Sequence, residues 1–422
     1  MKLIPSLLIS LFPLLAQAPP VEEVLSLART GSAGLAAALD RSLKPEEALA
    51  GTAYLAKGPD FLFVIDAASE PSLRINGESG PRMTQLAGAA NRWIASVKLP
   101  ASRTHNFHYL IRGEPFGGRN DVMAYSEYHY RKPGVPEGKL TPKMTHTSRI
   151  YEGMIADYWV YAPAQYKPGV PAAVMFWTDG EVHLNRDSGS RAMHVWDNLT
   201  HEKKIPVMLQ VLVSPGVKDG RRWRSIQYDS VDDRFARYVL EEILPEVGKS
   251  YSLRGDGYSR AIAGDSSGAI CSLNAAWWRP GDFSRVLLRI GSFTSIQWQQ
   301  RETDGLTAKD GGHIFPFLIR KSPRKNIRVY LQDGFGDLEN DHGSWPASNL
   351  ALVNSLKLKG YDFKMVWGNG THSRNGGNVE LAEELIWLWR DYDSSKTDQE
   401  FTQEPAEKDK PFFRIKALNR LE

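Results

Sequence analysis

Tyr258-Ser-Arg-Ala-Ile-Ala-Gly-Asp-Ser-Ser-Gly-Ala-Ile-Cys271 is the stretch whose reading decides the fold. Ala261, Ile262 and Ala263 form a short apolar run of buried-strand character, and Ala269 to Trp278 has helical composition. Gly264-Asp-Ser-Ser-Gly268 therefore lies in a strand-turn-helix setting, where G-x-S-x-G has a mechanical meaning. A sharp turn pushes the central serine into a strained backbone conformation and exposes its hydroxyl, while the flanking glycines leave room for neighbouring backbone. Of the two serines only Ser266 has glycine at both minus two and plus two, so Ser267 is not the nucleophile. The Ser267 amide instead faces the helix mouth, where negative charge on a reacting carbonyl oxygen can be held. An ordinary glycine-rich turn would carry the same letters; the setting and the partners downstream separate the two.

A serine hydroxyl is a poor nucleophile at neutral pH and needs a base to take its proton and an acid to orient that base. In this arrangement both follow the serine in the chain, on loops after strands. The strand Ile327 to Leu331 runs into Gln332-Asp-Gly-Phe-Gly-Asp-Leu-Glu-Asn-Asp341, and the strand Asp362 to Trp367 runs into Gly368-Asn-Gly-Thr-His-Ser373. His372, in a glycine-rich turn at a strand's C-terminal edge, is the expected base. Asp333, Asp337, Glu339 and Asp341 crowd the other loop. Asp337 is the expected acid because a carboxylate must reach past the strand end to meet the imidazole; the rest read as a solvated acidic turn. A second oxyanion donor belongs after the strand Val174 to Trp177, where Thr178-Asp-Gly-Glu181 offers the Gly180 or the Glu181 amide beside that of Ser267. Asp179 either binds substrate or orients this turn. Arg221-Arg-Trp-Arg-Ser-Ile-Gln-Tyr228 and Ile296-Gln-Trp-Gln299 fall on the expected rim, where Arg224 and Trp298 would suit a phenolic acyl group or a carboxylate. The competing reading pairs Arg222 and Arg224 with Asp229, Asp232 and Asp233.

The rest of the chain frames this site. At 422 residues it is too long for one ordinary core, and 42% hydrophobic with 24% charged residues describes a globular protein. A formal charge of +3 makes no case for nucleic acid or an anionic membrane surface. Met1-Lys2, the apolar run Leu3 to Leu15 and Ala16-Gln-Ala18 have the pattern of a signal peptide over residues 1–18, which points to a secreted or periplasmic protein; no membrane anchor is expected. Residues 19–50 carry leucines and alanines at helical spacing and read as a helical arm. Short strands divided by Gly, Pro, Asn and Ser clusters then predict a small antiparallel sandwich over 51–131, in which Trp93 and Tyr109 are core residues rather than a sugar platform. A Pro- and Gly-rich linker spans 132–144, alternating strands and helices fill 145–393, and a charged tail ends the chain over 394–422. One cysteine, Cys271, excludes an intramolecular disulfide and a cysteine-built zinc site, and the ten histidines show no metalloprotease spacing. No metal and no cofactor is expected.

Residues 145–392 resemble the putative-esterase family of α/β-hydrolases, which includes enterochelin esterases, feruloyl esterases, S-formylglutathione hydrolases and mycolyltransferases. Ile262-Ala-Gly-Asp-Ser-Ser-Gly268 resembles the family's elbow, Gln332-Asp-Gly-Phe-Gly-Asp337 its acid loop, Gly370-Thr-His-Ser373 its histidine loop and Asp179-Gly180 its oxyanion turn. Ala269 departs from it, standing where many members have a second glycine. The stretch Trp93 to Leu99, Pro100 and Phe107-His-Tyr-Leu-Ile-Arg-Gly113 resembles the immunoglobulin-like module in front of the enterochelin and some feruloyl enzymes. The resemblance implies an α/β-hydrolase fold behind an immunoglobulin-like β-sandwich, and at Asp337 the family's triad acid. The function expected first is a secreted serine esterase acting on feruloyl or acetyl esters of polysaccharide. Hydrolysis of a catecholate siderophore ester is the alternative within enzymes, and a catalytically inactive carbohydrate-binding protein the alternative outside them. The partner is a small-molecule or polysaccharide-linked ester in the first two cases; oligomeric state is not legible.

Overall fold

A computed structural model describes residues 18–301, 305–307 and 310–414. The signal-peptide pattern lies, except for Ala18, outside the described residues, as does the tail beyond Arg414. The chain forms two units, one from Met1–Leu99 with Phe107–Arg119, the other from Pro100–Asn106 with Asn120–Glu422.

In the first unit, β1 (Ala53–Lys57), β2 (Asp60–Asp66), β5 (Thr84–Gln85) and β6 (Arg92–Lys98) make one antiparallel sheet in the order β1-β2-β6-β5, while β3 (Ser72–Ile75), β4 (Glu78–Ser79), β7 (Arg103–Ile111) and β8 (Glu114–Ala124) make another in the order β4-β3-β7-β8. The inner ends of β7 and β8 belong to the second unit. Aromatic rings fill the space between the sheets: Phe63 on β2 meets Phe107 on β7 with centroids 4.7 Å apart, and Tyr54 meets Phe107 at 6.0 Å. Tyr109 is fully buried, and Trp93 is part-buried with its indole N–H donating to the Ala67 carbonyl. The arm folds into α1 (Val21–Thr30), α2 (Leu35–Ser42) and α3 (Pro45–Leu49). Val24, Leu25, Leu35, Ala38 and Leu39 pack on Leu55, Leu62 and Val64, which covers the outer face of the first sheet. With rings on one face and helices on the other, β2 is buried on both, which is why Phe61-Leu-Phe-Val-Ile65 does not alternate with polar residues. β8 escaped the sequence reading because Pro115, Gly117 and Gly118 give it the composition of a loop.

The second unit is built on an eleven-stranded sheet. Its strands are β9 (Lys139–Leu140), β10 (Met144–Thr147), β11 (Ile155–Ala162), β12 (Ala173–Thr178), β13 (Met208–Val213), β14 (Val217–Lys218), β15 (Arg221–Arg222), β16 (Arg260–Asp265), β17 (Arg285–Arg289), β20 (Arg328–Gly336) and β23 (Asp362–Thr371). The hairpins β18 (Gln299–Arg301) with β19 (Gly305–Thr307), and β21 (Glu339–Asn340) with β22 (Gly343–Ser344), stand off it. The order is β15-β14-β11-β13-β12-β16-β17-β20-β23, with β13, β12, β16, β17, β20 and β23 mutually parallel and β11 antiparallel to β13. One face is covered by α8 (Ser267–Trp278), α9 (Phe315–Lys321), α10 (Trp345–Leu358) and a segment comprising α5 (Arg224–Tyr228), α6 (Arg234–Arg237), a π-helix at Tyr238–Ile243 and α7 (Leu244–Gly248). The other is covered by α4 (Ala192–His201) and α11 (Asn375–Leu388). Apolar strands buried on both faces, with connections returning each strand parallel to its neighbour, make this an α/β-hydrolase fold.

Two stretches differ from the sequence reading. The linker expected over 132–144 contributes β9 and the start of β10, which pair with the edge of β11. The first part of the tail is tied down: Phe401 is buried beneath the guanidinium groups of Arg285 and Arg328, 5.1 and 4.6 Å from its ring centroid, and Phe413 packs on Phe363. The two aromatic anchors are joined by hydrogen bonds, the Asn326 side chain donating to the Gln399 carbonyl at 2.7 Å and accepting from the Phe401 amide at 2.8 Å, and the Asn354 side chain accepting from the Phe413 amide at 2.9 Å. Among the described residues no helix is long and apolar enough to cross a membrane.

Because Leu62 is wedged between the first sheet and the helical arm, Leu62→Ala is expected to destabilise the first unit by about 2–5 kcal/mol, read as a lowered urea midpoint.

Candidate active site

β16 ends at Asp265 and α8 begins at Ser267, so Ser266 alone makes the turn. Its backbone sits at φ 58°, ψ −121°, a region that L-residues adopt only when their surroundings impose it. Those surroundings are close. A Cβ on Gly264 would lie 2.3 Å from the Gly268 carbonyl oxygen and 2.3 Å from Thr178 Oγ1, and one on Gly268 would meet the same Thr178 oxygen at 2.3 Å. The Ser266 amide donates to the Arg289 carbonyl at 2.9 Å, and its carbonyl accepts from the Ser292 amide at 3.2 Å. The turn is thus clamped between the ends of β12 and β17, and the hydroxyl is held at the C-terminal edge of the parallel strands.

Two other strand ends deliver the groups that meet it. Ser266 Oγ lies 2.8 Å from His372 Nε2, and His372 Nδ1 lies 2.5 Å from Asp337 Oδ1. β23 runs through the whole glycine turn to Thr371, so His372 follows the strand directly. Its loop is gripped by Asp121, whose carboxylate accepts from the Thr371 amide at 3.0 Å, from the Thr371 hydroxyl and from the Ser373 hydroxyl at 2.9 Å. Asp121 itself is at φ 54°. Asp337 is buried at the end of β20, where its Oδ1 also accepts from the Leu338 amide at 2.6 Å. Burial acts to raise its pKa, but the hydrogen bonds from His372 and from the neighbouring Asp333, with the His372 charge, outweigh that and hold Asp337 below the usual carboxylate range. Asp333 goes the other way. Burial, then the hydrogen bond and negative charge of Asp337, push it well above its ordinary value, so of the two acids Asp337 carries the charge. Glu339 and Asp341 are exposed.

On the far side of the serine, the turn after β12 carries Asp179 at φ 48° and then the short 3-10 helix Gly180–His183. Gly180 lies so near β13 that a Cβ there would be 2.5 Å from Leu212 backbone atoms. The Asp179 amide donates to the Tyr228 hydroxyl at 3.1 Å. Its carboxylate is buried among guanidiniums: Arg224 at 2.7 Å, Arg374 at 3.2 Å and Arg222 at 3.7 Å. Arg374 also donates to Asp265 at 3.0 Å, and Arg222 to Glu181 at 2.7 Å. Arg222 and Arg224 therefore find partners in the turn after β12 and not in Asp229, Asp232 or Asp233. Trp298 sits in the loop after β17, 36% exposed; among the described residues no hydrogen bond or ring contact joins it to Ser266, His372 or Asp337.

Beneath the edge the charges are buried. Arg289 donates to both oxygens of Glu384, with Asp265 3.9 Å away, and burial pushes the Glu384 carboxyl up to about 7 despite that partner. Cys271 is fully buried, and burial raises its thiol well above the ordinary value, so it is a packed side chain. Among the described residues no group of three or more His, Cys, Asp or Glu side chains could hold a metal ion.

The sequence reading passed over four residues here: Asp121, Ser292, Trp345 and Arg374. Ser292 Oγ is 2.9 Å from Ser266 Oγ and accepts from the Trp345 indole at 2.9 Å, while the Trp345 ring stands edge-on to His372 with centroids 5.5 Å apart. Arg374 had a signal, lying two residues beyond His372. The other three, Asp121 near the end of β8, Ser292 in the loop after β17 and Trp345 at the start of α10, are brought in by folding from stretches with no motif of their own.

An α/β-hydrolase sheet with a strained serine on the strand-to-helix turn defines the class of protein. Residues 156–388 match the family described as Putative esterase, more than half of the chain, and the chain belongs to that family of carboxylic ester hydrolases. It is 22% identical over 214 residues to YjcH, an uncharacterized protein of Bacillus subtilis, a match covering 49% of this chain and 80% of YjcH. Its fold is similar to that of the enterobactin esterase FES of Shigella flexneri, with TM-score 0.52 and 16% identity over 82% of this chain and 97% of FES. A ferulic acid esterase of Anaeromyces mucronatus aligns with TM-score 0.47 and 17% identity, over 63% of this chain and 95% of its own.

His183, in the turn after β12, is fully buried against Trp177 and bonded to Ser190, and burial with the charges of Arg289 and Arg374 lowers its pKa to about 3. Since the unfolded chain binds this proton near the ordinary value of about 6.5, the histidine contributes stability above that pH and loses it as pH falls toward 3. Below about pH 5.5 and down to about pH 4 the wild-type chain is therefore expected to lose roughly 1.3 kcal/mol per pH unit more than His183→Gln, measured by urea unfolding.

Proposed function

We propose that the chain is a secreted serine esterase in which Ser266, His372 and Asp337 act as nucleophile, base and orienting acid. The reading is carried by the continuous contact from Ser266 Oγ through His372 to Asp337, at 2.8 and 2.5 Å. His372 Nε2 takes the hydroxyl proton as Ser266 Oγ attacks the ester carbonyl. The carbonyl oxygen, now an oxyanion, is held by the Ser267 amide, which opens α8 without an intrahelical acceptor, and by the Gly180 or Glu181 amide in the turn packed against the elbow. His372 hands the proton to the departing alcohol. Water, deprotonated by the same imidazole, then attacks the acyl-enzyme, and Ser266 recovers its proton as the acid leaves. Asp337, charged and buried, keeps Nδ1 protonated and offsets the imidazolium.

The substrate read from the chain is a feruloyl or acetyl ester of polysaccharide, supported by aromatic and cationic residues around the rim; Arg224, locked to Asp179, would act there through the turn it orients. A catecholate siderophore ester is the second reading. It is favoured by the match to the Shigella enterobactin esterase, which spans 82% of this chain and so extends beyond the hydrolase half. Export rests on the composition of residues 1–18.

Ser266→Ala is expected to reduce p-nitrophenyl acetate hydrolysis by at least about 10⁴-fold, and Asp337→Asn by about 10⁴-fold with the fold intact. Hydrolysis surviving in Ser266→Ala would remove the serine from the mechanism, and failure of the wild-type chain to react with a fluorophosphonate would favour an inactive carbohydrate-binding protein. A panel holding feruloylated xylan, acetylated xylan and enterobactin separates the substrates: release of ferulate or acetate supports the first reading, release of dihydroxybenzoylserine alone the second.

A further inference from the structure

We propose that Ser292 is a positioning residue for the nucleophile: its hydroxyl donates to Ser266 Oγ and fixes the direction from which that oxygen attacks. The inference rests on the reading of Ser266 and His372 given above.

The direction of every hydrogen bond in the cluster is forced from its two ends. The Trp345 indole can only donate, and an ionised Asp337 can only accept. A neutral His372 therefore keeps its proton on Nδ1, toward Asp337, and presents Nε2 as acceptor. The single proton of Ser266 goes to Nε2 across 2.8 Å. The 2.9 Å contact between Ser266 and Ser292 can then be made only with Ser292 as donor, and Ser292 in turn accepts from Trp345 at 2.9 Å. Four links run one way, from indole to carboxylate. Ser292 is fully buried, so bulk water does not compete for its hydroxyl.

This pattern uses up the valences of the reacting oxygen. Around Ser266 Oγ one position is the bond to Cβ, a second is the proton directed at His372, and a third is the lone pair that accepts from Ser292. One lone pair remains, and its direction is set by the other three. When the proton passes to Nε2 and this lone pair bonds to the acyl carbon, Ser292 still donates to Oγ. When the acyl-enzyme breaks down, the bond from Oγ to the acyl carbon breaks, Oγ recovers the proton from Nε2, and the same donor steadies the charge it carries in passing.

The backbone that presents Ser292 is itself strained. Ile290, a β-branched residue, is at φ 41°, in the left-handed region that such residues avoid. The bend is held by the Ile290 backbone amide donating to the Gln332 carbonyl at 2.7 Å and by the Asn349 side-chain Nδ2 donating to the Gly291 carbonyl at 2.9 Å. The Ser292 amide then reaches the Ser266 carbonyl, so one residue grips the nucleophile by both backbone and side chain. Strain of this kind persists where the surroundings over-determine the conformation, and here the result is the placement of one hydroxyl.

The test measures p-nitrophenyl acetate hydrolysis and the rate of fluorophosphonate labelling for the full chain and for Ser292→Ala, Ser292→Thr, Trp345→Phe and Ser266→Ala. Ser292→Ala is expected to lower kcat and the labelling rate about tenfold, the loss of one hydrogen bond, with KM within about twofold. Ser292→Thr, which keeps the hydroxyl, should recover most of the loss. Trp345→Phe keeps the ring on His372 and removes only the N–H, so it should cost a few-fold, and combined with Ser292→Ala it should add nothing further. Wild-type rates in Ser292→Ala, or losses that threonine does not recover, would overturn the inference. Should Ser292→Ala not fold, Trp345→Phe decides alone, wild-type rates in it being the adverse result. Labelling retained in Ser266→Ala would bring down the reading of the serine, and this inference with it. A dead Ser266→Ala beside a normal Ser292→Ala would bring down this inference only.

Discussion

The site depends on a close approach that no residue larger than glycine permits. Three chain segments, the end of β12 at Thr178, the end of β16 at Gly264 and the start of α8 at Gly268, come so close that a Cβ on either glycine would overlap its neighbours. That approach forces Ser266 into its positive-φ conformation and leaves its side chain nowhere to point but outward. The cost of a strained residue, of order 1–3 kcal/mol, is borne by the hydrogen bonds that clamp its amide to Arg289 and its carbonyl to Ser292. A hydroxyl held this way needs no conformational search to reach its position, because the sheet has already made it.

The same edge carries more charge than an ordinary strand end. Asp179 and Asp265 meet Arg222, Arg224, Arg374 and Arg289, and Arg289 continues inward to Glu384 under the helical cover. Ion pairs whose carboxylates are buried contribute little net stability, since desolvation offsets their attraction. They are directional, however, and these fix the turn after β12 relative to the elbow and the histidine loop. Asp121 does the same for the histidine loop from another direction, accepting from the Thr371 amide and from the hydroxyls of Thr371 and Ser373. The geometry of three loops is thereby set by polar contacts, while the apolar packing of α8, α10 and α11 sets the sheet they stand on.

Much of this could be read along the chain. The apolar runs at Val174–Trp177, Ala261–Ala263 and Ile327–Leu331, broken by helical stretches, led to a parallel sheet, because a strand buried on both faces has no polar alternation to hide it. Gly264, Ser266 and Gly268 were legible because the elbow needs those residue types at that spacing, and His372 because it ends a strand in a glycine turn. The sandwich was harder: β8 has the composition of a loop, and two strands, at 78–79 and 84–85, are only two residues long, too short to show an alternation. Phe401 and Phe413 docked a tail that its charges had made look free, since burial of two rings depends on where Arg285, Arg328 and Phe363 lie in space.

The order of strands and helices, and which serine and histidine stand at strand ends, follow from sequence alone, because hydrophobic period and turn chemistry act over a few residues. Which carboxylate meets the imidazole, what Asp179 and Arg224 bind, and that Ser292, Trp345 and Asp121 stand around Ser266 and the histidine loop were decided by the tertiary structure. Those contacts join residues up to about 250 positions apart, and a hydrogen bond across such a separation leaves no local mark; only the packing that brings the strand ends together determines which side chains find each other.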